Sequence, residues 1–149
     1  MSRISRVAAA GLALGFSHPA LAAGLPAEFN GSWTSDTTIS ICDRDPRGDV
    51  TMTVEPNAIV YGETRCRVTS AQKARISRGR GLIDIQFDMA CSGDGTTWRD
   101  REVWHLQTIA DRKFVTTTTV RQWDVRDGNG RIMRDEPSRV GTTIYLDCK

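Results

Sequence analysis

Beyond its first two dozen residues, the chain is rich in β-branched residues and poor in leucine. Residues 23–149 contain 9 Ile, 9 Val and 16 Thr, but only 4 Leu and 7 Ala. β-Branched side chains lose little rotamer freedom on a pleated strand, whereas helical domains depend on Leu and Ala. This imbalance predicts an all-β fold and argues against a helical bundle.

Short alternating segments, separated by turn residues, follow one another along residues 23–149. In the clearest of them, residues 82–91, apolar side chains occupy every second position and Asp or Gln most of the positions between. This segment runs into Ser92-Gly93-Asp94-Gly95, which is typical of a hairpin turn. The first predicted strand covers residues 33–41 and the last covers 142–148. Seven or eight such segments predict a small antiparallel barrel or sandwich.

The first 22 residues have the three parts of a secretory signal peptide. Arg3 and Arg6 form a basic start, an apolar run follows over residues 7–16, and Ala20-Leu21-Ala22 matches the small-x-small cleavage pattern. An apolar run of about ten residues is too short to span a membrane, which takes roughly twenty. We therefore expect cleavage after export, leaving one β-barrel-like domain at residues 23–149, periplasmic or secreted, with no membrane span.

The charge balance gives no indication of a polyanionic partner. The chain has 20 Lys+Arg and 18 Asp+Glu, and Arg3 and Arg6 account for the whole formal charge of +2. Residues 23–149 therefore have a net charge near zero. Proteins that bind nucleic acid or anionic membranes through charge carry a basic excess. We expect neither partner for this domain.

All four cysteines lie beyond the expected cleavage site, where an oxidising compartment favours disulfides. If residues 66–74 and 82–91 form a hairpin around Arg78-Gly79, Cys66 lies directly opposite Cys91. The same register pairs apolar residues on one face and opposite charges on the other, as cross-strand contacts favour. These pairs are Val68 with Met89 and Lys73 with Asp84. The hairpin predicts a Cys66–Cys91 disulfide.

The two remaining cysteines, Cys42 and Cys148, are then left to pair with each other. Their bond would join the first predicted strand to the last, which is the connection that closes a barrel. A loop of about a hundred residues closed in this way contributes about 4–5 kcal/mol in the chain-entropy model. Two disulfides would therefore compensate for a core with few large apolar residues.

Three tryptophans, Trp33, Trp98 and Trp104, are candidates for a ligand surface or for structural aromatic positions. Trp98 and Trp104 are separated by an even number of residues, so both side chains can face one side of a single strand. Buried packing and an aromatic wall for a ligand are both compatible with this pattern.

The sequence shows no recognisable catalytic or metal-binding arrangement. His105 is the only histidine of residues 23–149, and no nucleophile elbow accompanies it. A zinc hydrolase would need two or three histidines. Glycosidase chemistry needs only two carboxylates, but no pair among the 18 acidic residues is marked by its spacing. We expect a protein that is not an enzyme and that holds no cofactor or metal.

Gly31-Ser32-Trp33, at the start of the first predicted strand, resembles the G-x-W signature of lipocalin-like barrels. The resemblance implies that Trp33 closes one end of a barrel, with Arg139 as a candidate packing partner. Trp33 followed by Cys42 also resembles the small periplasmic metalloprotease inhibitors of bacteria, which share that barrel. Those inhibitors use an N-terminal trunk on the protease, a role that residues 23–30 would fill here.

A wider resemblance covers most of residues 23–149. It consists of Gly31-x-Trp33, Cys42, Glu63-x-x-Cys66, Cys91-x-Gly93-x-Gly95-x-x-Trp98 and Cys148. This series is similar to a group of small exported proteobacterial proteins with no settled function. The residues and the resemblances together predict an exported binding module. Its partner would be a protein, with a protease among the candidates, or alternatively a small apolar ligand.

The predicted disulfides can be checked by mass spectrometry of a digest of the oxidised protein, prepared without reduction. We expect one peptide pair joined through Cys66 and Cys91 and a second joined through Cys42 and Cys148. Reduction should separate both pairs, which serves as the control. A peptide pair joining Cys42 to Cys66 would contradict the predicted strand register.

Overall fold

The computed structural model describes residues 24–36, 51–77, 81–133 and 141–148. These ranges contain nine antiparallel strands in one sheet. The strands are β1 (Gly31–Thr34), β2 (Thr51–Glu55), β3 (Ala58–Tyr61), β4 (Thr64–Ala71), β5 (Arg75–Ser77), β6 (Leu82–Gly93), β7 (Thr96–Ile109), β8 (Arg112–Arg126) and β9 (Thr142–Asp147). No helix in the described ranges is long and apolar enough to cross a membrane.

The sheet closes on itself. Strands that follow one another in the chain pair with one another, and β9 returns to pair with β1. The short β5 continues the line of β4, because both strands pair with the same side of β6. The result is a closed eight-stranded antiparallel barrel, which confirms the predicted all-β barrel and rules out the sandwich.

Tight turns join the three longest strands. Asp94 and Gly95 connect β6 to β7, and Ala110 and Asp111 connect β7 to β8. All four residues have positive φ, between 47° and 71°. Two consecutive left-handed residues give the type I′ turn, whose twist matches that of the strands it joins. The hairpin turn predicted around Asp94-Gly95 is therefore confirmed.

The Cys66–Cys91 disulfide lies at the end of the hairpin where the structure shows the predicted strand register. Cys66 on β4 is opposite Cys91 on β6, their Cα atoms are 4.0 Å apart, and their sulfurs are bonded. Val68 is opposite Met89, also as predicted. These two pairs confirm the register at this end of the hairpin.

The predicted register is wrong at the other end of the hairpin. A bulge between Val68 and Ser70 shifts the pairing by one residue, and a further residue is inserted before β5. Asp84 therefore lies opposite Arg75 and not Lys73. The prediction assumed unbroken pairing, which the bulge interrupts. The proposed loop Arg78-Gly79 lies outside the described residues.

The last cysteine follows the strand that closes the barrel. Cys148 is disulfide-bonded, and the preceding β9 pairs with β1 through Trp33 opposite Asp147. Cys42, its predicted partner, lies outside the described residues, as do Arg139 and the signal segment 1–22. The Cys42–Cys148 disulfide therefore stays a prediction.

One end of the barrel, here called the apolar end, is closed by the segment that precedes β1. This segment contains a 3₁₀ turn, Ala27–Phe29. The Leu25 amide donates a hydrogen bond to the Pro56 carbonyl, and Phe29 packs on Trp104 with ring centroids 5.7 Å apart. Trp33 donates its indole N–H to the Phe29 carbonyl at 2.8 Å. The apolar interior includes Leu25, Phe29, Ile83, Ile85, Leu106 and Val115.

Replacing Phe29 by Ala should destabilise the protein by about 3–5 kcal/mol, because a fully buried ring is lost from the apolar end. The free energy of unfolding in urea measures this loss. Ile144→Ala, at an outward-facing residue that is 59% exposed, serves as the control and should change stability by no more than about 0.5 kcal/mol. A neutral Phe29→Ala variant would mean that residues 24–30 do not close the barrel.

Candidate functional site

Strand β7 carries two carboxyl groups into the barrel. From Trp98 to Leu106 its even-numbered side chains face inward and its odd-numbered side chains face outward. Asp100 is 7% exposed and Glu102 is 6% exposed. The inward face of the strand therefore places two acidic residues between Trp98 and Trp104.

Both oxygens of Glu102 accept hydrogen bonds. The Trp104 indole N–H donates to Oε2, and the hydroxyl of Thr119, directly opposite on β8, donates to Oε1 at 3.3 Å. Burial raises the pKa of Glu102 to about 7. The hydrogen bond from Trp104 opposes this rise, and repulsion from Asp100 adds to it. Glu102 is thus firmly held and close to its protonation midpoint at neutral pH.

Asp100 is held at one oxygen only. Its Oδ2 accepts the Trp98 indole N–H at 2.7 Å. The Cys91 sulfur lies 3.9 Å from the same oxygen, but a disulfide sulfur has no proton to donate. Among the residues that the structure describes, Oδ1 is buried without a hydrogen-bond partner, which costs about 1–3 kcal/mol. Burial raises the pKa of Asp100, and hydrogen bonds from the Trp98 and Gln122 side chains oppose this rise.

Two tyrosines interact electrostatically with the interior carboxyls. The rings of Tyr61 on β3 and Tyr145 on β9 are 6.5 Å apart between centroids and tilted by 48°. Both residues are half-buried. Burial raises the pKa of each hydroxyl, and the negative charge of Glu102 adds to the rise. Trp98, Asp100, Glu102, Tyr61 and Tyr145 form what we call the acidic–aromatic cluster.

In the part of the chain that the structure describes, no basic side chain compensates this pair of acids. Arg99 and Arg101, its neighbours on β7, point outward. Arg99 Nε lies 3.7 Å from Asp124 Oδ2, and Arg101 Nε lies 2.7 Å from Asp88 Oδ1. Among the described residues, no cation contributes to the raised pKa of either interior carboxyl. The interior acids and the exterior arginines are separated by the sheet itself.

His105 does not join the carboxyls. It lies on the outward face of β7, half of its side chain is exposed, and its Nδ1 is 2.6 Å from Asp84 Oδ1. The interior acids lie on the other face of the same strand. His105 therefore forms a surface pair with Asp84.

The three predicted aromatic positions divide into two kinds. Trp33 and Trp104 are fully buried in the core, and Trp104 packs edge-on against Phe87 with centroids 5.1 Å apart. Trp98 is half-buried and belongs to the acidic–aromatic cluster. The Cys66–Cys91 disulfide borders that cluster through the Cys91 sulfur.

Sequence reasoning missed the two acids and the two tyrosines of the cluster. A signal for the acids was present, because Trp98-x-Asp100-x-Glu102-x-Trp104 places both of them on the face that the tryptophans share. Tyr61 and Tyr145 reach the cluster only through barrel closure, since β3 and β9 are distant from β7 in the chain. Local alternation carries no information about that approach.

Comparisons with protein-family models, with curated proteins and with solved structures give no significant match to this chain. The family resemblances stated above therefore stay predictions. The function has to be argued from the acidic–aromatic cluster itself.

The raised pKa of Glu102 predicts a pH-dependent stability. A folded-state pKa of about 7, against an ordinary value of 4.5, means that the folded protein holds this proton more tightly than the unfolded chain. The resulting stability is fully present below about pH 4.5 and is lost as the pH rises through 7, a change of about 3 kcal/mol. Urea unfolding between pH 4.5 and 8 measures this loss.

Glu102→Gln should remove most of the loss of stability between pH 4.5 and 8, because the amide keeps the shape of the side chain and does not ionise. Glu63→Gln, at an exposed residue in the turn between β3 and β4, is the matched control and should retain the wild-type pH profile. An unchanged profile in the Glu102→Gln variant would show that Glu102 does not titrate near neutrality.

Proposed function

We propose that this protein is a non-enzymatic ligand-binding module of the periplasm or the secreted fraction, with the acidic–aromatic cluster as its binding site. One observation carries the proposal. Two buried carboxyls lie together without a neighbouring cation among the described residues, and Oδ1 of Asp100 lacks a hydrogen-bond partner. A ligand would supply the counter-charge and the hydrogen-bond partner that these groups lack.

Stability gives no reason to bury these two acids. Removing a carboxylate from water is costly unless a counter-charge or hydrogen bonds compensate it, and apolar residues of similar size are often at least as stabilising. Strongly perturbed ionisable groups concentrate at functional sites for this reason. We therefore interpret Asp100 and Glu102 as residues retained for binding.

The arrangement of the barrel suggests the route to the site. Leu25 and Phe29 fill the apolar end. Trp98, Tyr61 and Tyr145 are each only half-buried. A ligand would therefore approach the carboxyls past these three rings. The rings would move little when the ligand binds, because the strands that carry them belong to a closed sheet.

The proposed location is supported by chemistry at both ends of the chain. The Cys66–Cys91 disulfide and the bonded state of Cys148 suit an oxidising compartment. The basic, apolar and small-residue parts of segment 1–22 are those of an export signal.

The other hypotheses from the sequence receive less support. A carrier of an apolar ligand needs an apolar cavity, but large side chains occupy the apolar end and acids lie at the cluster. An inhibitor that uses an N-terminal trunk needs a free segment, but Leu25 and Phe29 are buried. An enzyme that uses His105 as its base would need it beside the carboxyls, and it lies on the outward face of β7.

A survey of small molecules tests the proposal without assuming a ligand class. Purified exported protein is exposed to alkylamines, carboxylates, sugars and apolar compounds, while NMR follows the indole N–H signals of Trp98 and Trp104. We expect compounds of at least one class to shift the Trp98 signal and to raise the thermal unfolding midpoint. Trp98 should respond most, because its N–H is bonded to Asp100.

The double variant Asp100→Asn, Glu102→Gln is the matched control, because it keeps the shapes of both side chains and removes their charge. It should lose the response. Absence of any response in the wild type, or its persistence in the double variant, would contradict the proposed site. Inhibition of a metalloprotease that is unaffected by the double variant would favour the inhibitor hypothesis instead.

A further inference from the structure

We infer that the ligand of the acidic–aromatic cluster is an organic cation that carries N–H groups, namely an alkylammonium or a guanidinium group. This inference rests on the proposed function, because it names the ligand class of the same site. Three features of the cluster support it: its uncompensated negative charge, an unused acceptor oxygen, and aromatic rings beside the acids.

The first feature is charge. Asp100 and Glu102 repel one another, and the arginines next to them in sequence form ion pairs with Asp124 and Asp88 on the outer face. Among the described residues, the titratable groups that face the pair are the hydroxyls of Tyr61 and Tyr145, which are neutral at physiological pH. A positive ligand would relieve the repulsion, whereas an anionic ligand would increase it.

The second feature is the inventory of hydrogen bonds. Glu102 already accepts bonds at both of its oxygens, from Trp104 and Thr119, and is held in place. Asp100 accepts hydrogen bonds from the Trp98 and Gln122 side chains, but among the described residues its Oδ1 has no partner, although the residue is more than nine-tenths buried. An acceptor that lacks only a donor fits an N–H group. A quaternary ammonium would bring charge but no hydrogen to this oxygen.

The third feature is the pair of tyrosine rings, whose centroids are 6.5 Å apart. Aromatic faces attract cations electrostatically, and alkyl groups pack on them as well. Two half-buried rings whose hydroxyls interact electrostatically with Glu102 therefore suit a cationic head with a short alkyl stem. The same chemistry is carried by a free alkylamine and by a Lys or Arg side chain of a partner protein, so the experiment includes both sources.

Calorimetric titration tests the inference with n-butylammonium as the probe. 1-Butanol is the neutral counterpart of similar length, tetramethylammonium is the cation without N–H groups, and butyrate is the anion. We expect n-butylammonium to bind, and each of the other three to bind about tenfold more weakly or not at all. A blocked lysine tripeptide, titrated in parallel, reports whether a side chain on a peptide also enters.

Variants locate the binding. Asp100→Asn and Glu102→Gln should each weaken n-butylammonium binding by about thirtyfold or more, because each removes one charge from the site. Asp84→Asn removes an exposed carboxylate on the outer face and should leave the affinity unchanged, which controls for general attraction to negative charge. The affinity of the wild type should rise about tenfold between pH 6 and pH 8, as Glu102 ionises.

The outcomes separate this inference from the proposed function. Binding of butanol or butyrate through Asp100 and Glu102, without binding of n-butylammonium, would overturn the cation inference and leave the binding module in place. Equal affinity for tetramethylammonium would overturn the assignment of an N–H donor. If no compound of any class binds at the cluster, both the inference and the proposed function fail.

Discussion

Trp104 connects the two halves of the barrel interior. Its ring packs against Phe29 and Phe87 at the apolar end, and its indole N–H donates to Glu102 in the acidic–aromatic cluster. A large apolar side chain without a donor would keep the packing but leave Glu102 with Thr119 alone. The position of the site therefore depends on the same side chain that organises the core.

The cluster is costly, and covalent bonds lie close enough to offset that cost. Ionisation of Glu102, whose pKa is about 7, lowers the free energy of unfolding of the protein by about 3 kcal/mol. The Cys66–Cys91 disulfide, with a sequence separation of 25 residues, contributes about 3.5 kcal/mol in the chain-entropy model. Its Cys91 sulfur contacts Asp100. The disulfide thus fixes β4 to β6 beside the groups that disfavour folding.

The elements that the sequence predicts well are those set by local chemistry. Strict alternation over residues 82–91 and the turn at Asp94-Gly95 predict the β6–β7 hairpin, and cross-strand pairing predicts the Cys66–Cys91 bond. The bulge after Val68 was not predictable, because a single inserted residue changes neither composition nor polarity. The approach of Tyr61 and Tyr145 to Glu102 also escapes prediction, since it depends on how a closed barrel brings distant strands together.

Side-chain alternation on β7 explains why the net charge of the chain gives no sign of the acidic–aromatic cluster. Arg99-Asp100-Arg101-Glu102 has the composition of an exposed strand whose charges neutralise one another. Alternation on β7 instead places both arginines outside and both acids inside, so the neutral segment becomes two oppositely charged faces. The near-zero net charge of residues 23–149 argues against polyanionic partners at the surface. It does not describe the interior, where Asp100 and Glu102 lie without a compensating cation among the described residues.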